Sequence, residues 1–304
     1  MKRREFIIKS GIGAGALLST GWLIKQQLLA APISKETPRL TVASGGTAVR
    51  LIEKVLQSTG YLEAIIRKGA KVLIKPTIAW DRTPEMAANT NPELVGKLIE
   101  ACYKAGARQV LVVEHTVHPW TKCYKNSGIE RVTKDNRAKI LPGNEELYYV
   151  DVQIPQAQKL KKLKVHEALG KTDVLINVPV LKADPATGIS GAIKNLTGLV
   201  WDRHFYYLND FDRCAAEFLY FRKPDLNIVD ASRVLMRHTP AGESPTDVEP
   251  KNTLIVSTDI VAADACAARL LGLDPDQIGH IKLTGQLGFG AVHIPEREIK
   301  QLSL

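Results

Sequence analysis

Cysteine is scarce in this chain and scattered: Cys102, Cys123, Cys214 and Cys266 are the four among 304 residues. No two have the C-x-x-C spacing, which leaves neither a zinc ribbon nor a ferredoxin-type cluster motif to read. Long blocks of like charge and short-period repeats are missing too, which excludes acidic or basic tails and repeat architectures. Glycine (22) and proline (16) are not in excess and 45% of residues are hydrophobic, so the chain can bury a full core. The two common phosphate-loop signatures, G-x-x-x-x-G-K-[ST] and G-x-G-x-x-G, are also absent.

What the chain does have begins at residue 1. "MKRREFIIKSGIGAGALLSTGWLIKQQLLAAPIS" has a basic start, an apolar middle and a small-residue exit, the layout of an export signal. Arg3, Arg4 and Phe6 resemble the twin-arginine signal, whose machinery carries folded proteins across a membrane. The apolar part, residues 10–24, is short for a bilayer span of ~20 residues, so cleavage near Ala31 and a periplasmic or extracytoplasmic destination are expected, with a membrane anchor as the alternative if the signal is not cleaved. Residues 1–31 hold five basic and one acidic side chain, and their removal lowers the formal charge from +9 to +5. That excess suits an anionic small molecule and falls short of a nucleic-acid footprint, so no nucleic-acid partner is expected. "KLKKLK" at 159–164 reads as a solvated face. An oxidising compartment allows one or two disulfides, although Cys102 and Cys266 lie in apolar helical patterns that favour buried thiols.

Residues 38–304 read as a single α/β domain. "RLTVASGG", "KVLIKPTI", "RQVLVVEHT", "TDVLINVPVLK", "DLNIVDAS" and "NTLIVSTD" are apolar runs of strand length. Between them lie segments of helical spacing, among them "NPELVGKLIEACYKAG", with Asn91 as cap, Pro92 at the first position and Gly106 beyond the end. Helical spacing also marks "TAVRLIEKVLQSTGYLEAIIRKG", "DFDRCAAEFLYFRKP" and "IVAADACAARLLGL". Strand and helix alternating around continuous apolar strands imply a doubly wound, mostly parallel sheet with helices on both faces. Residues 120–170 read as short strands and one helical piece.

Ligands of such sheets bind outside the carboxyl ends of the strands, and here those ends are charged. Lys75, Glu114, His115, Asn177, Lys182, Asp230 and Asp259 each follow an apolar run. Lysines sharing a rim neutralise a carboxylate or phosphate, and crowding lowers their pKa toward that of a proton acceptor or imine former. Glu114 or Asp230 would be the paired acid or base, and His204 the histidine placed for proton transfer. "EHTVHPW" invites a metal reading through Glu114, His115 and His118, but loop residues three apart share no fixed face and no further ligand follows by spacing, so no metal is expected there.

The stretch "TGISGAIKNLTGL" is poor in side chains and carries Lys194. As a helix start it would set Gly188, Gly191 and Lys194 on one face and offer backbone donors to an anion. Close packing against the sheet accounts for the glycines equally well, and both readings stay open.

"KPTI" with "TNPELV", "DVLINVPVLK" with "TGISGAIKNLTGLV", and "STDIVAADACAARLLGLDP" together resemble the family called domain of unknown function 362, over about residues 70–290. The resemblance implies a shared fold and pocket rather than a reaction, and it points to Lys75, Lys182, Gly191, Lys194, Asn195 and Asp264 as pocket residues. Some relatives carry iron–sulfur segments, and this chain departs from them. Two functions follow as expectations. One is an exported enzyme acting on an anionic small molecule at the lysine and carboxylate rim, through Lys75, Glu114, Lys182, Lys194 and His204. Gly188, Ser190, Gly191, Asn195, Asp230 and Asp264 would form its ligand or cofactor pocket, with the cofactor unidentified. The other is a non-catalytic accessory or carrier protein with a redox partner.

Overall fold

The computed structural model describes residues 37–304, so the export signal expected at 1–31 lies outside the described residues. Strand β1 (Leu40–Ser44) leads into helix α1 (Ala48–Ser58). Gly60, in the left-handed region at φ 56°, ends the helical run there, and a separate short helix α2 (Tyr61–Ile65) follows. What reads as one long helix is therefore two.

Next come β2 (Lys71–Pro76), α3 (Pro92–Lys104) and β3 (Gln109–Val112). The α3 start is as its sequence requires, with the Asn91 side chain accepting from Glu93 N at 3.0 Å and Pro92 spending no donor. Residues 120–170 hold α4 (Trp120–Asn126), α5 (Ile129–Asp135), β4 (Lys139–Ile140), β5 (Tyr149–Gln153), β6 (Lys162–His166) and α6 (Ala168–Lys171). Two of these helices had no clear signal in the sequence.

The run "DVLINVPVLK" is two strands, β7 (Val174–Val178) and β8 (Val180–Asp184), because Pro179 has no N–H for the ladder. Strand β9 (Gly188–Ser190) turns back on β8, and helix α7 (Ala192–Asn195) begins only after it. The expected helical face through Gly188, Gly191 and Lys194 is thereby corrected. Gly188 at φ 79° makes a turn into an antiparallel strand, and no helix passes through it.

After α7 come α8 (His204–Leu208), α9 (Phe211–Glu217), β10 (Leu226–Leu235), β11 (Val248–Ser257), α10 (Ile260–Leu270), α11 (Gly279–Gln286) and β12 (Ile299–Ser303). The large sheet runs β12-β1-β11-β10-β7-β2-β3-β4, with β8 and β9 joined beside β10. Pairing is parallel from β10 through β4, while β11 lies antiparallel to both β10 and β1. The fold is the doubly wound, mostly parallel α/β sheet that the strand and helix alternation requires.

One face of the sheet packs Val72, Ile74, Val110, Val112, Ile176 and Val178 against Leu51, Ile52 and Val55 of α1 and Leu94, Leu98 and Ile99 of α3. These side chains are excluded from water, each contributing about 1.5–3 kcal/mol. Alternation along the strands sends Lys75 and Asn177 to the other face, where α7 lies. All four cysteines are free thiols, Cys102, Cys123 and Cys214 buried and Cys266 partly so, which corrects the allowance for disulfides. No helix among the described residues is long and apolar enough to cross a membrane.

Candidate functional site

A polar row crosses the buried middle of the sheet at one level. Lys75 of β2 stands opposite Asn177 of β7, Asn177 opposite Asn227 of β10, and Asn227 opposite Ser257 of β11. All four are almost fully buried, so each needs internal partners. Asn177 Nδ2 donates to Asn227 Oδ1 at 3.0 Å and to the Ala192 carbonyl at 2.9 Å, and Asn227 Nδ2 donates to the Ser257 carbonyl at 3.3 Å. Asn195, from α7, closes the row from above. Its Nδ2 donates to Asn177 Oδ1 (2.8 Å) and the Lys75 carbonyl (3.2 Å), and its Oδ1 accepts from Lys75 Nζ (2.6 Å) and Thr77 Oγ1 (2.9 Å).

Lys75 Nζ also reaches Glu114 Oε2 at 2.7 Å, and both side chains are at most 2% exposed. The same Glu114 oxygen accepts from Ile78 N at 3.2 Å. Burial lowers the Lys75 pKa; Glu114 opposes that, and the positive Arg203 adds to it. Gly198 explains how Glu114 fits, since a Cβ there would overlap Glu114 Oε1 and press on Lys75 Nζ.

Two further lysines follow on β8 and α7. Lys182 is 2% exposed, its Nζ donating to the Pro240 carbonyl at 2.7 Å and lying 5.9 Å from the centre of the Trp80 ring. No carboxylate lies within ion-pair distance of it among the described residues. Burial first, then the neighbouring Lys194 ammonium, brings the Lys182 pKa from 10.5 down to about 7, with Asp184 and Glu114 opposing. Lys194 is better compensated: it holds Asp184 Oδ2 at 2.5 Å and Thr187 Oγ1 at 3.2 Å, with the rings of Phe211 and Tyr207 at 5.3 and 5.7 Å. Burial raises the Asp184 pKa, but Lys194 and the backbone N–H groups of Ala186 and Thr187 outweigh it and hold the carboxyl low.

The glycines at 188 and 191 serve the protein's own packing and carboxylates. Asp264 of α10 accepts from Ala192 N (2.5 Å) and Ile193 N (2.8 Å), and a Cβ on Gly191 would collide with that carboxylate. The first donors of α7 are therefore occupied from within, and Asp264 orients the helix that carries Lys194 and Asn195. Gly188 packs on Ile278, and Ser190 stands opposite Lys182 in the β8–β9 ladder.

Other sequence candidates lie apart from this cluster. Asp230 is buried and engaged by Asn91 N (3.0 Å), Ser232 N (3.1 Å) and Ser232 Oγ (2.6 Å), so it ties the start of α3 to β10. His204 is exposed at the start of α8. His115 Nδ1 lies 2.9 Å from the Val200 carbonyl, and its ring stacks on Trp201 at 5.0 Å. Burial, with Arg203 adding to it, lowers the His115 pKa to about 4. His118 Nδ1 accepts from Asp81 N. Among the described residues no three His, Cys, Asp or Glu side chains group as a metal site.

Sequence reasoning missed Trp80, Asp184, Asn227, Arg203 and the loop that supplies the Pro240 carbonyl. Asp184 and Asn227 left a signal, because residues 182 and 184 share a strand face and an asparagine inside "DLNIV" demands a partner. Arg203, which donates to the His115 carbonyl, is placed by long-range packing.

Fold and site together define a doubly wound α/β protein with a buried lysine–carboxylate–amide network at its strand ends. Residues 72–269 match the family described as Domain of unknown function (DUF362), and the chain belongs to that family. It is 23% identical over 251 residues to the Thylakoid-associated protein sll1697 of Synechocystis sp., covering 80% of this chain and 76% of the relative. Among solved structures, the lactate racemase apoprotein from Thermoanaerobacterium thermosaccharolyticum shares the fold at a TM-score of 0.50 and 12% identity. That likeness covers 78% of this chain, which spans 58% of the length of the racemase chain.

Proposed function

We propose that this protein binds an anionic small molecule at the Lys75, Lys182 and Lys194 cluster and acts on it as an enzyme. The observation that carries this is Lys182, a buried amine whose described hydrogen bond goes to a backbone carbonyl and which has no carboxylate partner within ion-pair distance. A buried lysine left so poorly paired weakens the fold, and a pKa near 7 suits it to proton transfer or nucleophilic attack. Lys75 and Lys194 are each ion-paired beside it, to Glu114 and Asp184; a lysine ammonium has three N–H donors, and each of these two spends two on described partners. Arg203 adds a fourth cation on the Lys75 side. Lactate, for which the racemase sharing this fold is named, is a small carboxylate of the class proposed, but the assignment rests on the lysines.

The test is a thermal-shift panel of small carboxylates and phosphates on the purified protein and on Lys194→Ala. Stabilisation of the wild type by members of the panel, lost in a variant that still melts cooperatively, supports the reading. Equal response in both proteins refutes it. Binding without any turnover would make the protein a carrier instead. We further propose export of the folded chain by the twin-arginine machinery; replacing Arg3 and Arg4 with lysine should retain it in the cytoplasm.

A further inference from the structure

We propose that Lys182 forms an imine with a small carboxylate that also bears a ketone or aldehyde, a 2-oxo acid being the simplest class. This rests on the anion-site reading and specifies its substrate. Three features of the structure converge on it. Lys182 lacks the acidic partner that would keep it an ammonium ion, and an amine with a free lone pair is the form that attacks carbonyl carbon. Its one described hydrogen-bond partner, the Pro240 carbonyl, sits in the loop between β10 and β11, a contact that an incoming substrate replaces without leaving a buried charge behind. That loop is held by Arg82, which donates to the Gly242 carbonyl, and by Asp247, which accepts from Glu243 N (2.9 Å) and Ser244 N (3.0 Å). The far side of the same loop, at Glu243, borders a cleft of about 520 Å³ lined also by Asp81, Arg82, Thr83, Met86 and Asn126; Lys182 does not line it, so displacement of the Pro240 contact is what would bring substrate to the amine.

The second requirement is a fixed cation for the carboxylate. Lys194, at 15% exposure the most open of the three lysines, meets it: Asp184 is its ion-pair partner at 2.5 Å, and one N–H remains beyond Asp184 and Thr187. The third is an apolar wall for the carbon chain, which Trp80 supplies next to the amine. The step balances without an oxidant or reductant. The Lys182 nitrogen forms a bond to the carbonyl carbon, its two protons pass to the carbonyl oxygen, and that oxygen leaves as water.

Sodium borohydride reduces an imine to a stable secondary amine, so the experiment is to incubate the full chain with pyruvate or 2-oxoglutarate, add borohydride, digest and map the modified lysine by mass spectrometry. Calorimetric titration of the same acids without reductant runs in parallel. The expected result is a reductant-dependent adduct on the Lys182 peptide, missing in a folded Lys182→Met variant and reduced in Lys194→Gln. Measurable binding with Lys182 unmodified overturns the imine and spares the anion site. Labelling spread evenly over surface lysines likewise overturns it, while absence of both binding and adduct for every oxo acid and simple acid tried overturns both.

Discussion

The Lys75–Glu114 pair makes a quantitative demand on stability. Replacing Lys75 with methionine leaves the Glu114 carboxylate 2% exposed, with Ile78 N as its remaining described donor, and removes the donor that Asn195 Oδ1 shares. Removing one partner of a buried pair costs about 3–5 kcal/mol, because the other charge keeps its desolvation penalty. Glu114→Gln should cost a similar amount by stranding Lys75. The double variant loses both charges together, so it should be less destabilised than the two single costs combined, by about 1–3 kcal/mol of coupling. Urea unfolding followed by circular dichroism gives all four free energies, provided the slope is unchanged between variants. Single costs below ~1 kcal/mol that add within ~0.5 kcal/mol would refute the idea that these side chains act as one buried unit.

Other perturbations follow from the same geometry. Between pH 7 and 10.5 the unfolded chain holds a proton on Lys182 that the folded chain has released, so its contribution makes stability rise with pH across that window; Lys182→Met should flatten this part of the pH–stability curve. Asp264→Ala strips the two N–H partners from the start of α7, and should cost about 1–2 kcal/mol in urea unfolding and weaken ligand binding without touching a lysine. Glu217, buried on α9, accepts from the backbone N–H groups of Gln158, Lys159 and Leu160. Glu217→Ala should cost about 3 kcal/mol and open residues 158–160 to proteolysis, with ligand binding at the lysines preserved. A stability change under ~1 kcal/mol would contradict that clamp.

Strand order and strand ends were legible because burial on both faces forces continuous apolar runs, and the charged residue that ends each run stands out against them. Lys75, Glu114 and Lys182 come from that logic, and the structure gathers them into one region. Asp230 obeys the same pattern and does something else, since the N–H groups of Asn91 and Ser232 claim its carboxylate. Ser232 lies two residues along the chain, but the Asn91 N–H that ties Asp230 to the start of α3 comes from 139 residues away in sequence, and nothing local announces it. The helix expected through Gly188 failed for a local reason. Glycine spacing of three fits a helix face, but a glycine at positive φ fits a strand reversal equally well, and the sequence carries no mark that separates them. The lack of an acidic partner for Lys182 was illegible in principle, because it depends on which carboxylates the fold leaves elsewhere.

The most direct test of the anion site is calorimetric titration of a small carboxylate into the wild type, Lys194→Gln and Lys182→Met under identical conditions. The proposal predicts one saturable site in the wild type and a loss of at least about tenfold in affinity for Lys194→Gln, the equivalent of about 1.4 kcal/mol. Unchanged affinity in both variants, with each still folded, would contradict the assignment of the lysine cluster as the binding site.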